Sequence, residues 1–525
     1  MLMGTRKGVA TRVVVVLGLV MAGVSGLNAR EPGQVAAQAP GGPAVQSMPL
    51  SMEQAVAMAL EANLGLKAER LNLEVAGHSV ALARSAFLPQ VQSSISRQTA
   101  RSVPSDFTQG SADISSAGLR VSGSVAQNLR WYGSSYALTW SGNRSTQIGG
   151  LSSFNPRLGS TLQVTFDQPL LRGFKTDSAR VALTTSERNR AITDIQIQQQ
   201  IVLMEASVRL AYLTLVGAIE GRKVAEQNME IARRSLEQSR ARVAVGQAPQ
   251  IDIIESQAQV ASNQEQLLLA DARIATSEDF LRSLILDTTR PDYWQVRLVP
   301  TDTIQLTPRQ IDLDQAIKTA LANRLDLAVQ KRSLEITDLN LQLGRNNTLP
   351  NVDFNVGYVA QGTAGTQFAF GSGFPPPIID RTDRSFGSAL GDTFGNAYPS
   401  WSVGVTVGYP IGRTSAQVSY AQSQVRKRQQ ELDLQQLEFQ IVGQVREAVR
   451  QVQNSFLRVQ AAQTFRQAAE EQLTAEERRF AVGISTTLAL QIRQRDLANA
   501  RVSELGAMID YNRALIVLDR VQKTQ

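Results

Sequence analysis

Residues 54–91 align without a gap onto residues 315–352, an offset of 261, and this duplication constrains the fold more than any other feature of the 525-residue sequence. Gln54, Ala55, Ala59, Leu60, Leu64, Leu66, Leu73, Glu74, Arg84, Leu88, Pro89 and Val91 match Gln315, Ala316, Ala320, Leu321, Leu325, Leu327, Leu334, Glu335, Arg345, Leu349, Pro350 and Val352. One structural plan is therefore used twice. Each copy opens on a helix-start signal, Ser51-Met-Glu-Gln54 and Asp312-Leu-Asp-Gln315, in which the first side chain caps free N–H groups and Gln closes a capping box. Each copy then reads as helix until Leu-Pro, where proline ends it.

After each Leu-Pro the period changes to two. Val352, Phe354, Val356 and Tyr358 alternate with polar or small residues, and so do Trp401, Val403, Val405, Val407 and Tyr409. In the first copy Val91–Arg97, Leu119–Val125, Tyr136–Trp140 and Leu162, Val164, Phe166 give the corresponding set. Runs of about nine residues are long enough to cross a bilayer as tilted strands, although a half-buried strand of a soluble sandwich has the same pattern. Gly-, Pro- and Ser-rich stretches at 101–118, 141–160 and 361–399 read as loops.

The strand sets end at Pro169 and Pro410, and the next prolines are Pro249 in the first copy and none at all in the second. These proline-free stretches are rich in Ala, Gln, Glu, Arg and Leu, the strong helix formers. Ile201, Met204, Val208, Ala211, Leu215 and Ala218 keep a three-four spacing, as do Val442, Val445, Val449, Val452, Phe456 and Val459, which predicts coiled-coil seams. A helix from Ser178 to about Val243 is roughly 100 Å long at 1.5 Å per residue, longer than any single globular core. Both rods stop at one tripeptide, Ala244-Val245-Gly246 and Ala481-Val482-Gly483, whose Gly suits a left-handed C-cap before an antiparallel return helix.

Composition removes most chemistry. With no Cys and one His, the chain has no disulfide framework, no Cys-ligated metal, no lipid anchor on an N-terminal Cys and no obvious catalytic set, so neither an enzyme nor a metal or cofactor is expected. His78 aligns with Leu339 and reads as structural. Arg6, Lys7 and Arg12 precede an apolar run from Val13 to Val24, the pattern of a secretory signal peptide over 1–29. Its removal takes three cations from a net charge of +7, leaving +4, too little to argue for nucleic acid.

This order of elements, with Phe87-Leu88-Pro89, Gln168-Pro-Leu-Leu-Arg172, Tyr409-Pro-Ile411 and Ala-Val-Gly at both tips, resembles the bacterial outer membrane efflux protein family, the TolC-like proteins, over about residues 50–522. The resemblance implies a mixed α and β fold. A trimeric outer-membrane β-barrel would be continued by a long α-helical barrel of antiparallel hairpins, built from two tandem repeats. Physical chemistry points the same way, because partial strand sets expose unpaired edges that only neighbouring chains can complete in lipid. The first copy departs from the pattern, since Leu119–Trp140 has room for an additional hairpin, and the strands per protomer stay open.

The expected layout is a signal peptide (1–29), a flexible leader (30–49), repeat 1 (50–286, with strands over about 90–169 and a hairpin over 175–286), a linker (287–310) and repeat 2 (311–522, with strands over about 351–410 and a hairpin over 414–521). The implied role is an exit duct for an efflux or type I secretion system, working with a periplasmic adaptor and an inner-membrane transporter; a soluble periplasmic coiled-coil adaptor or tether is the alternative. The tips Val245, Gly246, Gln247 and Val482, Gly483, Ile484 are the expected adaptor-docking surface. Trp131, Trp140, Tyr398, Trp401 and Tyr409 are expected to meet outer-membrane lipid at the interface, with packing inside a soluble β-domain as the other reading.

In the family, acids six and nine residues after the second-copy tip Gly constrict the tunnel. Here those positions hold Ala489 and Ile492, and the acids stand in the first copy as Asp252 and Glu255. These two, with Ile492 and Arg493, are the gate candidates. Arg493 and Arg495 are candidates to pair with the acids as a latch, and ordinary solvated helix carboxylates are the alternative.

Overall fold

The computed structural model describes residues 47–103, 114–148, 152–304, 306–373, 376–409, 411–412 and 414–522. The expected signal peptide, leader residues 30–46 and Pro410 lie outside the described residues. The same order of elements occurs twice. The first half runs β1 (Ser47–Leu50), α1 (Met52–Ala62), α2 (Leu64–Ser85), β2 (Gln90–Ser102), β3 (Ile114–Asn128), β4 (Ser135–Ile148), β5 (Phe154–Pro169), α3 (Ser178–Ala244) and α4 (Ile251–Ile285). The second runs β6 (Arg297–Pro300), α5 (Leu313–Asn323), α6 (Leu325–Asn347), β7 (Asn351–Phe370), β8 (Ile378–Arg384), α7 (Phe386–Phe394), β9 (Tyr398–Gly408), α8 (Ser415–Ala481) and α9 (Thr487–Gln522).

Helix starts follow the local chemistry. Ser51 and Gln54 form a capping box on α1, Thr414 and Gln417 form another on α8, and the Asp177 carboxylate accepts from the Arg180 N–H at the start of α3. The rods α3 and α8 have 67 residues each, about 100 Å of helix. The part of α3 nearest the sheet meets α2, as in Arg84–Glu187, and the part towards its tip meets α4, as in Arg222–Asp271 and Ser239–Ser256, while α8 packs on α6 and α9.

Each half has its own core. Leu50, Ala55, Ala59, Val208, Tyr212, Leu215, Leu281, Ile285 and Leu298 cluster in the first, and Ala316, Ala320, Ile441, Val445, Val449, Val452, Tyr511 and Leu518 in the second. The duplicated alanines are buried to 0–3% exposure, so the identities in the repeat mark places where α1 and α5 lie close against the rods. Each fully buried Leu, Ile or Val stabilises such a core by about 1.5–3 kcal/mol. The α3 rod includes an 18-residue stretch apolar enough to cross a membrane. Its Val208, Ala211, Tyr212, Leu215 and Val216 belong to the first core, which explains that apolarity.

Two readings of the connecting segments are corrected. The end of the leader and the linker pair as parallel strands, Ser47 to Leu50 against Arg297 to Pro300, because Leu50 and Leu298 are core residues. Segments 141–160 and 361–399, expected as loops, hold the outer parts of β4, β5 and β7, all of β8 and α7, and the start of β9.

Among the described residues the large sheet has seven strands, in the order β2-β3-β4-β5-β7-β8, with β9 also on β7; all its pairings are antiparallel and it is open, not closed into a barrel. Its register sorts the side chains cleanly. Val91, Val125, Leu138, Val164, Tyr358 and Trp401 form one continuous row across β2, β3, β4, β5, β7 and β9. Ser94, Ser122, Ser141, Thr161, Gln361 and Tyr398 form a row on the opposite face. One face is thus apolar and the other polar.

Helix α7 lies on the apolar face, over a dent of small residues. A Cβ on Gly362 would stand 2.0 Å from the Ala389 carbonyl oxygen, and one on Gly142 would meet the Phe386 ring at 2.9 Å. The Thr393 hydroxyl reaches the Ser160 carbonyl at 3.1 Å.

Candidate functional site

The two hairpin tips are built alike. Gly246 has φ +72° and Gly483 φ +77°, the left-handed region that glycine enters at least cost. Gln247 N–H donates to Arg242 O at 2.8 Å and Gly246 N–H to Val243 O at 3.0 Å. At the second tip Ile484 N–H donates to Arg479 O at 3.1 Å and Gly483 N–H to Phe480 O at 3.2 Å. Both are Schellman endings, which satisfy the last carbonyls of each rod and turn the chain. No atom lies within 4 Å of a Cβ placed on either glycine. Val245, Val482 and Ile484 are 68%, 72% and 77% exposed, so each tip presents small apolar side chains beside an open glycine.

Behind the tips the two hairpins are tied together. Asp252 and Ser256, one turn apart on α4, face Thr487 and Gln491, one turn apart on α9. Thr487 Oγ1 donates to Asp252 Oδ2 at 2.6 Å, Gln491 Nε2 donates to Ser256 Oγ at 3.3 Å, and Ser256 Oγ lies 2.9 Å from Ser239 Oγ of α3. Ser256 and Ser239 are buried. On the other side Arg242 Nη2 donates to Phe480 O at 2.8 Å, and the guanidinium stacks over the Phe480 ring at 3.8 Å.

The gate candidates are therefore not one cluster. Asp252 is held by Thr487, whereas Glu255, three residues further along α4, is exposed. Arg493 donates to Gln472 at 3.0 Å and Asp496 at 3.3 Å, so it pairs along its own hairpin and not with Asp252 or Glu255. Ile492 is 37% exposed. Arg495 lines a cleft of about 780 Å³ between α3, α4 and α9, together with Asn228, Gln259, Asn263, Arg273 and Gln494.

The aromatic residues separate into three groups. Trp131 lies in the tight β3–β4 turn and Tyr409 just after β9, both at the sheet end that joins the helices. Trp140 and Trp401 stand in the strands on the apolar face, and Trp140 Nε1 donates to Ser160 Oγ at 3.2 Å. Tyr398 falls in the polar row opposite Gln361. Tyr132, another aromatic of the β3–β4 turn that the sequence places at a strand end, stacks on Phe174 with ring centroids 4.6 Å apart; neither that partner nor the Arg242–Phe480 contact is legible in the sequence. His78 is exposed on α2.

A membrane-length sheet with one apolar and one polar face, carried on paired helical rods, fits an outer-membrane channel protein. The sequence model of the outer membrane efflux protein family matches residues 132–285 and 316–521, more than half of the chain. The chain belongs to that family, and it is a protein of the outer membrane that reaches into the periplasm. It is 23% identical over 408 residues to the outer membrane efflux protein BepC of Brucella suis biovar 1 (strain 1330), covering 75% of this chain and 78% of that protein. In fold it is similar to the CmeC outer membrane channel of Campylobacter jejuni, with TM-score 0.62, 14% identity and coverage of 90% and 85% of the two chains. It is likewise similar to the outer membrane protein VceC of Vibrio cholerae, with TM-score 0.63, 14% identity and coverage of 90% and 95%.

Proposed function

We propose that three copies of this chain close one barrel in the outer membrane and one helical tunnel beneath it, forming the exit duct of a tripartite efflux or type I secretion system. The observation that carries this reading is the sheet, whose apolar rows suit lipid and whose polar rows suit a water-filled lumen, but whose edges are unpaired in a single chain. Other copies of the same chain complete those edges. The open apolar tips receive a periplasmic adaptor, which couples the duct to an inner-membrane transporter. Energy is supplied by that transporter, and the duct conducts cargo passively. Membrane fractionation followed by mass measurement in detergent tests the proposal. The expected result is an outer-membrane particle of three chains, and a water-soluble monomer would overturn it in favour of a periplasmic adaptor or tether.

A further inference from the structure

The two halves of the chain do not contribute equally to the sheet. By the internal repeat, β2 after Leu88-Pro89 corresponds to β7 after Leu349-Pro350, and β5 and β9 correspond as the last strands before the rods. In the second half these two strands pair directly, β7 with β9. In the first half β2 and β5 do not pair. The β3–β4 hairpin is inserted between them, paired to β2 over Ile114–Ala126 and to β5 over Ser135–Ser145. Strands β2, β3, β4, β5, β7 and β9 have 13, 15, 14, 16, 20 and 11 residues, so all six are long enough to cross a bilayer. β8, at 7 residues, is too short and extends only the outer half of β7.

The inserted hairpin carries the sheet's two-faced pattern without a break. Val125 and Leu138 continue the apolar row, and Ser122 and Ser141 continue the polar one. A loop folded away from the barrel has no reason to keep that register. The edges are matched as well. Every residue of β2 and of β9 is exposed, β2 leads away from the helices and β9 leads back to them. Placed side by side they are antiparallel, as are all other neighbours in this sheet, and Val91 and Ile95 share a side with Val403, Val405 and Val407.

We infer that β2 of one copy pairs with β9 of the next, and that the barrel is a wide one of six strands per chain, 18 in all, where two strands per half would give 12. The inference rests on the trimeric duct proposed above and adds the strand count and the contact that closes the barrel. With strands about 4.8 Å apart and tilted by about 40°, each takes roughly 6 Å of circumference, so the backbone diameter is about 36 Å for 18 strands against about 24 Å for 12. Barrels of 16–18 strands enclose an aqueous channel. The polar face is lined largely by Ser, Thr, Gly and Gln, which project little into that space. The outer-membrane exit is then about 12 Å wider than a 12-strand barrel allows, which suits bulky hydrated cargo.

Two measurements on the full-length protein test this. Cross-sections of the barrel by electron cryomicroscopy in lipid nanodiscs are expected to show 18 strands. The chain has no cysteine, so Ser94→Cys on β2 combined in turn with Ser400→Cys, Ser402→Cys or Gly404→Cys on β9 reports the contact without background. At least one pair is expected to give covalently linked trimers on non-reducing gels. A trimer with 12 strands, its β3–β4 hairpin outside the wall, would overturn the inference and leave the duct intact. A particle that is not a trimer would overturn both.

Discussion

The Thr487 hydroxyl donates a hydrogen bond to the Asp252 carboxylate at 2.6 Å, joining helices whose residues are 235 positions apart. It sits at the first turn of both return helices, one turn above the Gln491–Ser256 contact at 3.3 Å. The first and second hairpins are therefore fastened beside their tips, and in the duct proposed above these contacts are placed to hold the tip end closed. A hydrogen bond to a charged acceptor contributes about 1.5–3 kcal/mol. Thr487→Val keeps the shape of the side chain and removes the donor. Its expected effect is a higher resting conductance in planar bilayers, with Gln491→Leu adding to it. Wild-type conductance in the double variant would show that these helices do not part when the duct opens.

Tyr212 offers a second, independent check, this time on the first core. Its hydroxyl lies 2.9 Å from both the Leu50 carbonyl oxygen and Asp302 Oδ2 and accepts from the Asp302 N–H at 3.2 Å. Asp302 in turn accepts from the Met52 N–H at 2.7 Å, so one phenol ties the rod to the strand β1 and the start of α1. Burial, foremost, raises the Tyr212 pKa above its ordinary value of 10.0. The unfolded chain then loses this proton first as pH rises. The associated stability is complete below that ordinary value and is lost as pH climbs through the folded one. Tyr212→Phe is expected to cost about 1–2 kcal/mol near neutral pH, measured by urea unfolding in detergent. The gap from wild type should shrink above about pH 10. A gap that stays constant into that range would mean the hydroxyl is not what the strand and helix rest on.

Much of this architecture is legible in the sequence, and the parts that are not have physical reasons. The rod from Ser178 shows itself because its limits are set locally, by the Asp177 cap at one end and Gly246 at the other. The outer halves of β4, β5 and β7 are hidden because the alternation that marks a strand fails there. On their apolar side stand Gly142, Ser160 and Gly362, kept small so that α7 can lie on them, and small residues on one face with polar ones on the other read as loop. The short strands β1 and β6 carry Pro49 and Pro300 and have only four residues each, which also imitates a linker. At the tips the acids were visible, but their partners were not. Asp252 meets Thr487 and Arg493 meets Gln472 and Asp496 through the way helices of different hairpins, or of one hairpin, are set against each other, and a linear spacing rule carries no information about that.

The tips themselves support the last prediction. Gly246 and Gly483 combine a positive φ with empty space beyond the Cα, so two effects of substitution can be separated. Gly246→Ala and Gly483→Ala test the backbone alone. Each costs about 1–2 kcal/mol for a left-handed L-residue, a small change for rods held by two cores and the contacts between hairpins, and export should persist. Gly246→Trp and Gly483→Trp carry the same backbone strain and add a large side chain beside Val245 or Val482. Since the added Cβ meets nothing within 4 Å and the side chain extends from an exposed tip, assembly and membrane insertion should match the alanine variants, while an adaptor seated on the tips is pushed away. Export of a reporter cargo is expected to fall at least tenfold in the tryptophan variants and less than twofold in the alanine ones, a separation of at least about fivefold, or about 1 kcal/mol in docking. Equal export in both sets would remove the tips as the docking surface.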